Sequence, residues 1–240
     1  MAGWFMPEKV PYAPVRLFCF PHAGGGASAY RAWTKDSALG AVPVQLPGRE
    51  NRMRETPLLS MRAIVEQAAE AIRPYAGQRY ALFGHSLGAR VAFELARHMR
   101  RKGQPLPAHL FVSGSRAPEI PEPSPLHELE EDAFLAALSR YGGTPQSLLD
   151  NKELMRLFLP LLRADFTVDE TYEYQEEEPL PVPIAAFYGS DDTEATRGET
   201  AGWERHTSGD FSLHEIPGGH FYLTHSSPLL LSHIRRVLGV

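Results

Sequence analysis

Six short apolar runs rich in strand-forming residues alternate with helix-like stretches, and this restricts the chain to few folds. The runs are Val15–Phe20, Ala41–Leu46, Arg79–Phe83, His109–Ser113, Ile184–Tyr188 and Phe211–Ile216. The helical patterns span roughly Ala27–Lys35, Met61–Tyr75, Ala89–Lys102, Glu199–His206 and Tyr222–Leu238. Strands that alternate with helices pair in parallel, because a parallel neighbour needs a crossover long enough to be helical. The sequence therefore predicts an α/β fold, a mostly parallel central sheet flanked by helices. Functional groups should gather at the carboxyl ends of its strands. At 240 residues a single domain accounts for the whole chain and can bury a substantial core.

One stretch breaks the alternation. Between the strands ending near Ser113 and starting near Ile184 lies a long segment opened by the proline-rich Pro118–Pro125. Within it Leu129, Ala133, Phe134, Ala137, Leu138 and Tyr141 follow the helical period, as do Leu154, Leu157, Phe158, Leu161 and Leu162. Pro160 should bend or break the second helix. A connection this long should carry its own structure, and residues 118–178 read as a helical lid inserted over the functional face. The side chains Phe134, Leu138, Leu157, Phe158 and Leu161 either line a channel there or pack as core.

The chemistry begins at Phe83-Gly84-His85-Ser86-Leu87-Gly88, placed directly after a strand and directly before a helix. This is a G-x-S-x-G elbow in strand–turn–helix context, with glycines where side chains would collide across a tight turn. The pattern alone arises by chance roughly 0.1 times in a chain of this length, so its context decides. A serine hydroxyl needs a base, and the base needs an orienting acid. The strand Ile184–Tyr188 runs into Gly189-Ser190-Asp191-Asp192, and Phe211–Ile216 runs into Pro217-Gly218-Gly219-His220. The order serine, acid, histidine, each at a strand's carboxyl end, predicts Ser86 as nucleophile and His220 as base, and the G-x-x-D spacing usual in such loops picks Asp192 as acid. Asp191 is the alternative acid, and Thr193 stands where proline is frequent in such loops. The backbone N–H groups of Leu87 and of Ala23, in the loop His22-Ala23-Gly24-Gly25-Gly26, are the expected oxyanion donors. His85 reads as structural, His22 as a residue that fixes its loop by hydrogen bonds, and His225 as a packing or surface residue.

Composition excludes other classes. A net charge of −5 argues against general nucleic-acid binding, and no apolar run approaches the length of a membrane span. No signal peptide is evident in Met1–Pro7, and the lone Cys19 reads as an inert buried thiol, so a cytoplasmic location is expected. The triple glycine lacks the spacing of phosphate-cradling loops, and no metal-ligand spacing occurs, so neither cofactor nor metal is expected. Monomer is the expected state.

Taken together, Phe20-Pro21-His22-Ala23-Gly24-Gly25, Leu46-Pro47-Gly48-Arg49-Glu50, the elbow, Leu162-Arg163-Ala164-Asp165-Phe166 and Gly218-Gly219-His220-Phe221 resemble the type II thioesterases. These are free-standing α/β-hydrolases that accompany polyketide synthases and nonribosomal peptide synthetases. The resemblance implies the α/β-hydrolase fold with a lid at the insertion noted above. It also implies an editing activity that hydrolyses aberrant or stalled acyl groups from the phosphopantetheine arm of acyl or peptidyl carrier proteins. The phosphopantetheine would then belong to the substrate. Carrier proteins tend to be acidic, and Arg49, Arg52, Arg54, Arg97, Arg100, Arg101 and Lys102 could form a basic patch that steers them. The alternative for the Arg97–Lys102 group is cationic decoration of a helix C-terminus, and for Arg49 an ion-paired turn. Residue chemistry alone leaves open a carboxylesterase or lipase acting on oxygen esters, an acyltransferase, or a carrier-binding module without catalysis.

Overall fold

The computed structural model describes residues 3–36, 38–141, 143 and 151–240. Its centre is a six-stranded sheet of β1 (Arg16–Phe20), β2 (Ala41–Pro43), β3 (Tyr80–His85), β4 (Leu110–Ser113), β5 (Ile184–Gly189) and β6 (Phe211–Ile216). The strand order is β2-β1-β3-β4-β5-β6, and every neighbouring pair is parallel. All six predicted strands are present, with β2 ending earlier than its apolar run.

Alternation within each strand divides the core into two. Phe18 and Phe20 of β1, with Leu82 of β3, face α1 (Met61–Ile72) and α2 (Leu87–Arg101), whose Ile64, Val65, Val91 and Leu95 complete that layer. Leu17 and Cys19, with Ala81 and Phe83, face the opposite layer, which holds Tyr30, Trp33 and residues Leu230, Ile234 and Leu238 of the C-terminal helix. A strand buried on both faces reads as a continuous apolar run, which is why β1 to β5 stood out; β6, at the sheet edge, is mostly half-buried. Cys19 is fully buried, and burial pushes its thiol well above the usual range.

The predicted helix over Ala27–Lys35 is instead two short 3-10 turns, Ala27–Tyr30 and Trp33–Lys35. Its first turn follows three glycines and has no side-chain cap, so nothing nucleates a longer helix.

The segment between β4 and β5 carries α3 (Glu131–Tyr141) and α4 (Lys152–Glu170); its residues 142 and 144–150 lie outside the described ones. Pro160 does not break the second helix: α4 runs through it for 19 residues. Pro160 and Arg156 one turn earlier are both exposed, so the carbonyl that loses its N–H partner faces water rather than a dry core. Asn151 caps the start by accepting from the Leu154 N–H at 3.1 Å. Phe134, Ala137 and Leu138 of α3 and Met155, Leu162 and Phe166 of α4 form a small apolar cluster of their own. Two further helices, α5 (Arg197–Ala201) and α6 (Ser227–Leu238), follow β5 and β6.

Candidate active site

The elbow between β3 and α2 holds Ser86 at φ 55° and ψ −123°, a conformation that costs a side-chain-bearing residue of order 1–3 kcal/mol. Close packing enforces it. A β-carbon on Gly84 would fall deep inside contact with the Gly88 carbonyl, and one on Gly88 would strike the Phe20 carbonyl of β1. The Ser86 N–H donates to the Ser113 carbonyl at 2.8 Å, which ties the elbow to the end of β4. Leu87 opens α2, so its N–H is one of those without an intrahelical acceptor.

The loops after β5 and β6 are laced together. Ser190 N–H donates to the Ile216 carbonyl at 2.9 Å, Asp191 N–H to the Gly218 carbonyl at 3.0 Å, and Gly218 N–H to Ser190 Oγ at 3.1 Å. Gly189 has no room for a side chain, since a β-carbon would sit 2.5 Å from the Gly218 oxygen. This lacing carries His220 to Asp192, with Nδ1 3.0 Å from Oδ2 and 3.2 Å from Oδ1. Asp192 Oδ1 also accepts from the N–H groups of Glu194 (2.8 Å) and Ala195 (3.2 Å), so the carboxylate is fixed from both sides. The neighbouring Asp191 is exposed and accepts only from Ser190 Oγ at 3.1 Å among the described contacts. Of the two candidate acids, the structure brings Asp192 to the imidazole.

Ser86, His220, Ala23, Gly24 and His22 line one cavity of about 190 Å³. Leu138, Phe158, Leu162 and Phe166 from the inserted helices wall it on one part, and Arg90, Arg116, Glu122 and Asp169 line another. The remaining side chains from the apolar set divide: Phe134 and Leu161 are buried, whereas Leu157 is exposed.

Burial disfavours the charged form of two histidines next to the site, His85 and His22. His85 is fully buried and donates to or accepts from Ser113 Oγ at 3.0 Å; Ser113 Oγ contacts Tyr222 Oη, which donates to the Phe187 carbonyl at 3.1 Å. Burial, reinforced by His220 and His22, pushes the His85 imidazole well below its usual range. Gly114 makes room for it, at φ 55°, where a β-carbon would lie 2.6 Å from His85 Cε1. Burial likewise lowers His22 to about 4, with His220 and Arg49 adding to the effect. His22 was expected to hold its loop by hydrogen bonds, but its buried Nδ1 has no partner among the described residues. The ring packs edge-on against Phe221 at 5.0 Å instead. His225 is exposed.

Of the two readings of the basic residues, ion pairing is the one that most of them show. Arg49 is buried and pairs with Asp165 of α4, and the buried Arg52 pairs with Glu55. Arg97, Arg100 and Arg101 converge on Glu177, with N···O distances of 3.0, 2.6 and 2.6 Å. Arg54 and Lys102 are exposed.

Sequence reasoning gave no role to Gln45, Glu50 or Asp165, yet all three hold the loop after β1. Gln45 Oε1 accepts from Ala27 N–H at 2.7 Å, Glu50 Oε1 from Ser28 N–H at 3.2 Å, and Asp165 Oδ2 from Gly24 N–H at 2.7 Å. Glu50 does so from φ 47°; among the described non-glycine residues only it and Ser86 have positive φ. A signal for Asp165 existed: it continues the apolar stripe of Phe158, Leu161 and Leu162 at helical spacing, where an aspartate demands a buried partner.

A parallel sheet with a serine elbow between β3 and its following helix, and an acid–histidine pair on the loops after β5 and β6, defines an α/β-hydrolase. The chain belongs to the thioesterase domain family, whose model matches residues 15–238. It is 43% identical to the thioesterase PikA5 of Streptomyces venezuelae, over 90% of this chain and 78% of that one. Among solved structures it resembles RedJ, the thioesterase of the prodiginine pathway in Streptomyces coelicolor, with TM-score 0.86 and 40% identity over 92% and 85% of the two chains. YbtT, a type II thioesterase from the yersiniabactin NRPS/PKS pathway, matches with TM-score 0.86 and 33% identity over 93% and 92%.

Proposed function

We propose that this chain is an editing thioesterase that hydrolyses acyl groups from the phosphopantetheine arm of carrier proteins. Ser86 is the nucleophile, His220 the general base and Asp192 the acid that holds the imidazole. The observation that carries this reading is the His220–Asp192 pair, 3.0 Å apart, set in the cavity that Ser86 also lines. With Nδ1 engaged by Asp192, the His220 proton sits on that nitrogen and Nε2 keeps a lone pair for the seryl proton. Ser86 Oγ attacks the thioester carbonyl while His220 takes its proton, and the N–H groups of Leu87 and Ala23 receive the oxyanion. The thiol leaves with the proton from His220, and water, deprotonated by the same imidazole, hydrolyses the acyl-serine ester. The relation to PikA5, RedJ and YbtT supports a carrier-bound thioester as the substrate. The helices α3 and α4 act as the lid, since they supply the apolar wall against which an acyl chain would lie.

The test is hydrolysis of a panel of acyl-carrier thioesters beside the matching oxygen esters, with wild type and Ser86→Ala. Turnover of the thioesters lost in Ser86→Ala is the expected result. Preference for the oxygen esters, or more than a few per cent residual turnover in Ser86→Ala, overturns the proposal.

A further inference from the structure

The loop after β1 contains three consecutive glycines, Gly24 to Gly26, and such a run has no stiffness of its own. Its shape is set from outside, and its amides can be followed one by one. Gly24 N–H donates to Asp165 Oδ2 at 2.7 Å, Gly25 N–H to the His22 carbonyl at 2.9 Å, and Ala27 N–H to Gln45 Oε1 at 2.7 Å. Ala23 and Gly26 N–H have no acceptor among the described residues, and of the two residues Ala23 lines the cavity beside Ser86. The vacant donor at the cavity is the one the reaction needs.

Of these ties only Asp165 comes from the inserted segment, 141 residues away in sequence. Arg49 grips both oxygens of that carboxylate, Nη1 to Oδ2 at 2.7 Å and Nη2 to Oδ1 at 2.9 Å, and reaches the Gly25 carbonyl at 3.0 Å. The pair is sealed from solvent, with side chains 3% and 1% exposed. A buried ion pair contributes little net cohesion over an apolar pair of the same volume, so fastening α4 does not require one. What the ionic pair adds is a carboxylate that cannot rotate, aimed at Gly24 N–H. Leu162, one turn earlier on α4, closes the other side of Gly24, which at φ 73° has no room for a β-carbon.

We propose that Asp165 is a positioning residue for the hydrolysis: it fixes the peptide beside Ala23, so that the second oxyanion donor is in place only while α4 is seated on the loop. The inference rests on the reaction assigned to Ser86 above. It makes the inserted helix a participant in transition-state stabilisation as well as a wall of the pocket.

The experiment compares three proteins on an acyl-N-acetylcysteamine thioester: wild type, Arg49→Met/Asp165→Leu, and Arg49→Met/Asp165→Asn. The Met/Leu pair removes both charges and the Gly24 acceptor at similar volume, and the Met/Asn pair returns a neutral acceptor. Expected for Met/Leu is a native near-UV spectrum, kcat lower by about 100-fold, as for loss of one oxyanion donor, and KM changed less than about threefold. Affinity for an alkylboronic acid, which forms a tetrahedral adduct on serine, should fall in step with kcat. Met/Asn should recover most of the loss. A folded Met/Leu protein with kcat within about threefold of wild type overturns the inference, as does absence of recovery in Met/Asn. Should Met/Leu fail to fold, hydrogen exchange of the wild type decides: boronate binding must protect residues 162–166 together with 22–28, and protection of the loop alone overturns it. Wild-type turnover lost in Ser86→Ala but retained in Met/Leu leaves the reaction standing and refutes only the role of Asp165.

Discussion

His22 packs against Phe221 at the edge of the cavity with its Nδ1 unpaired among the described residues, and burial lowers it to about 4 from its ordinary 6.5. The folded protein therefore resists a proton that the unfolded chain accepts. Its contribution is complete above the unfolded value, and it is lost as pH falls from there through about 4. Integrating between the two values gives about 2 kcal/mol lost from pH 7 to pH 5, out of about 3 kcal/mol in all. His85, held well below its usual range by burial, pulls in the same direction. The assay is urea unfolding at pH 7, 6 and 5, followed by tryptophan fluorescence, for which Trp4, Trp33 and Trp203 are all buried. The His22→Leu variant removes one titration, so its stability should fall less steeply than that of the wild type by about 2 kcal/mol over this range. Equal slopes for the two proteins would refute the reasoning.

Gly88→Ala should be destabilised by about 3 kcal/mol or more, seen as a lowered melting temperature or loss of soluble protein, because the new carbon meets the β1 backbone rather than a movable side chain. Asp192→Asn should lower kcat by about 10⁴-fold with the fold intact, whereas Asp191→Asn should stay within about twofold; steady-state kinetics of the two variants check this. Cys19 should be inert to Ellman's reagent in the native protein and react once urea unfolds it, since it lies fully buried between sheet and helix.

The central sheet was legible because both of its faces are covered, which leaves strands such as Leu17–Phe20 apolar at every position. The placement of Ser86, Asp192 and His220 at strand ends was legible for a related reason, since sheet order fixes which loops meet. What local pattern could not reveal was long-range pairing. Arg49 finds its partner 116 positions away, so charge pattern alone left open whether it lies on a basic surface or in an ion pair. The cost of Pro160 in a helix is greater where its lost hydrogen bond is buried, and exposure depends on how α4 lies on the body. The choice between adjacent aspartates turned on backbone N–H groups of Glu194 and Ala195, which no residue pattern displays.

The apolar cluster shared by α3 and α4 is separate from both layers that hold the sheet. Cavity-lining side chains of the insertion, such as Leu138 and Phe158, can therefore be exchanged without disturbing either layer that packs the sheet. A chain built in this way can adopt new acyl preferences through a few local replacements.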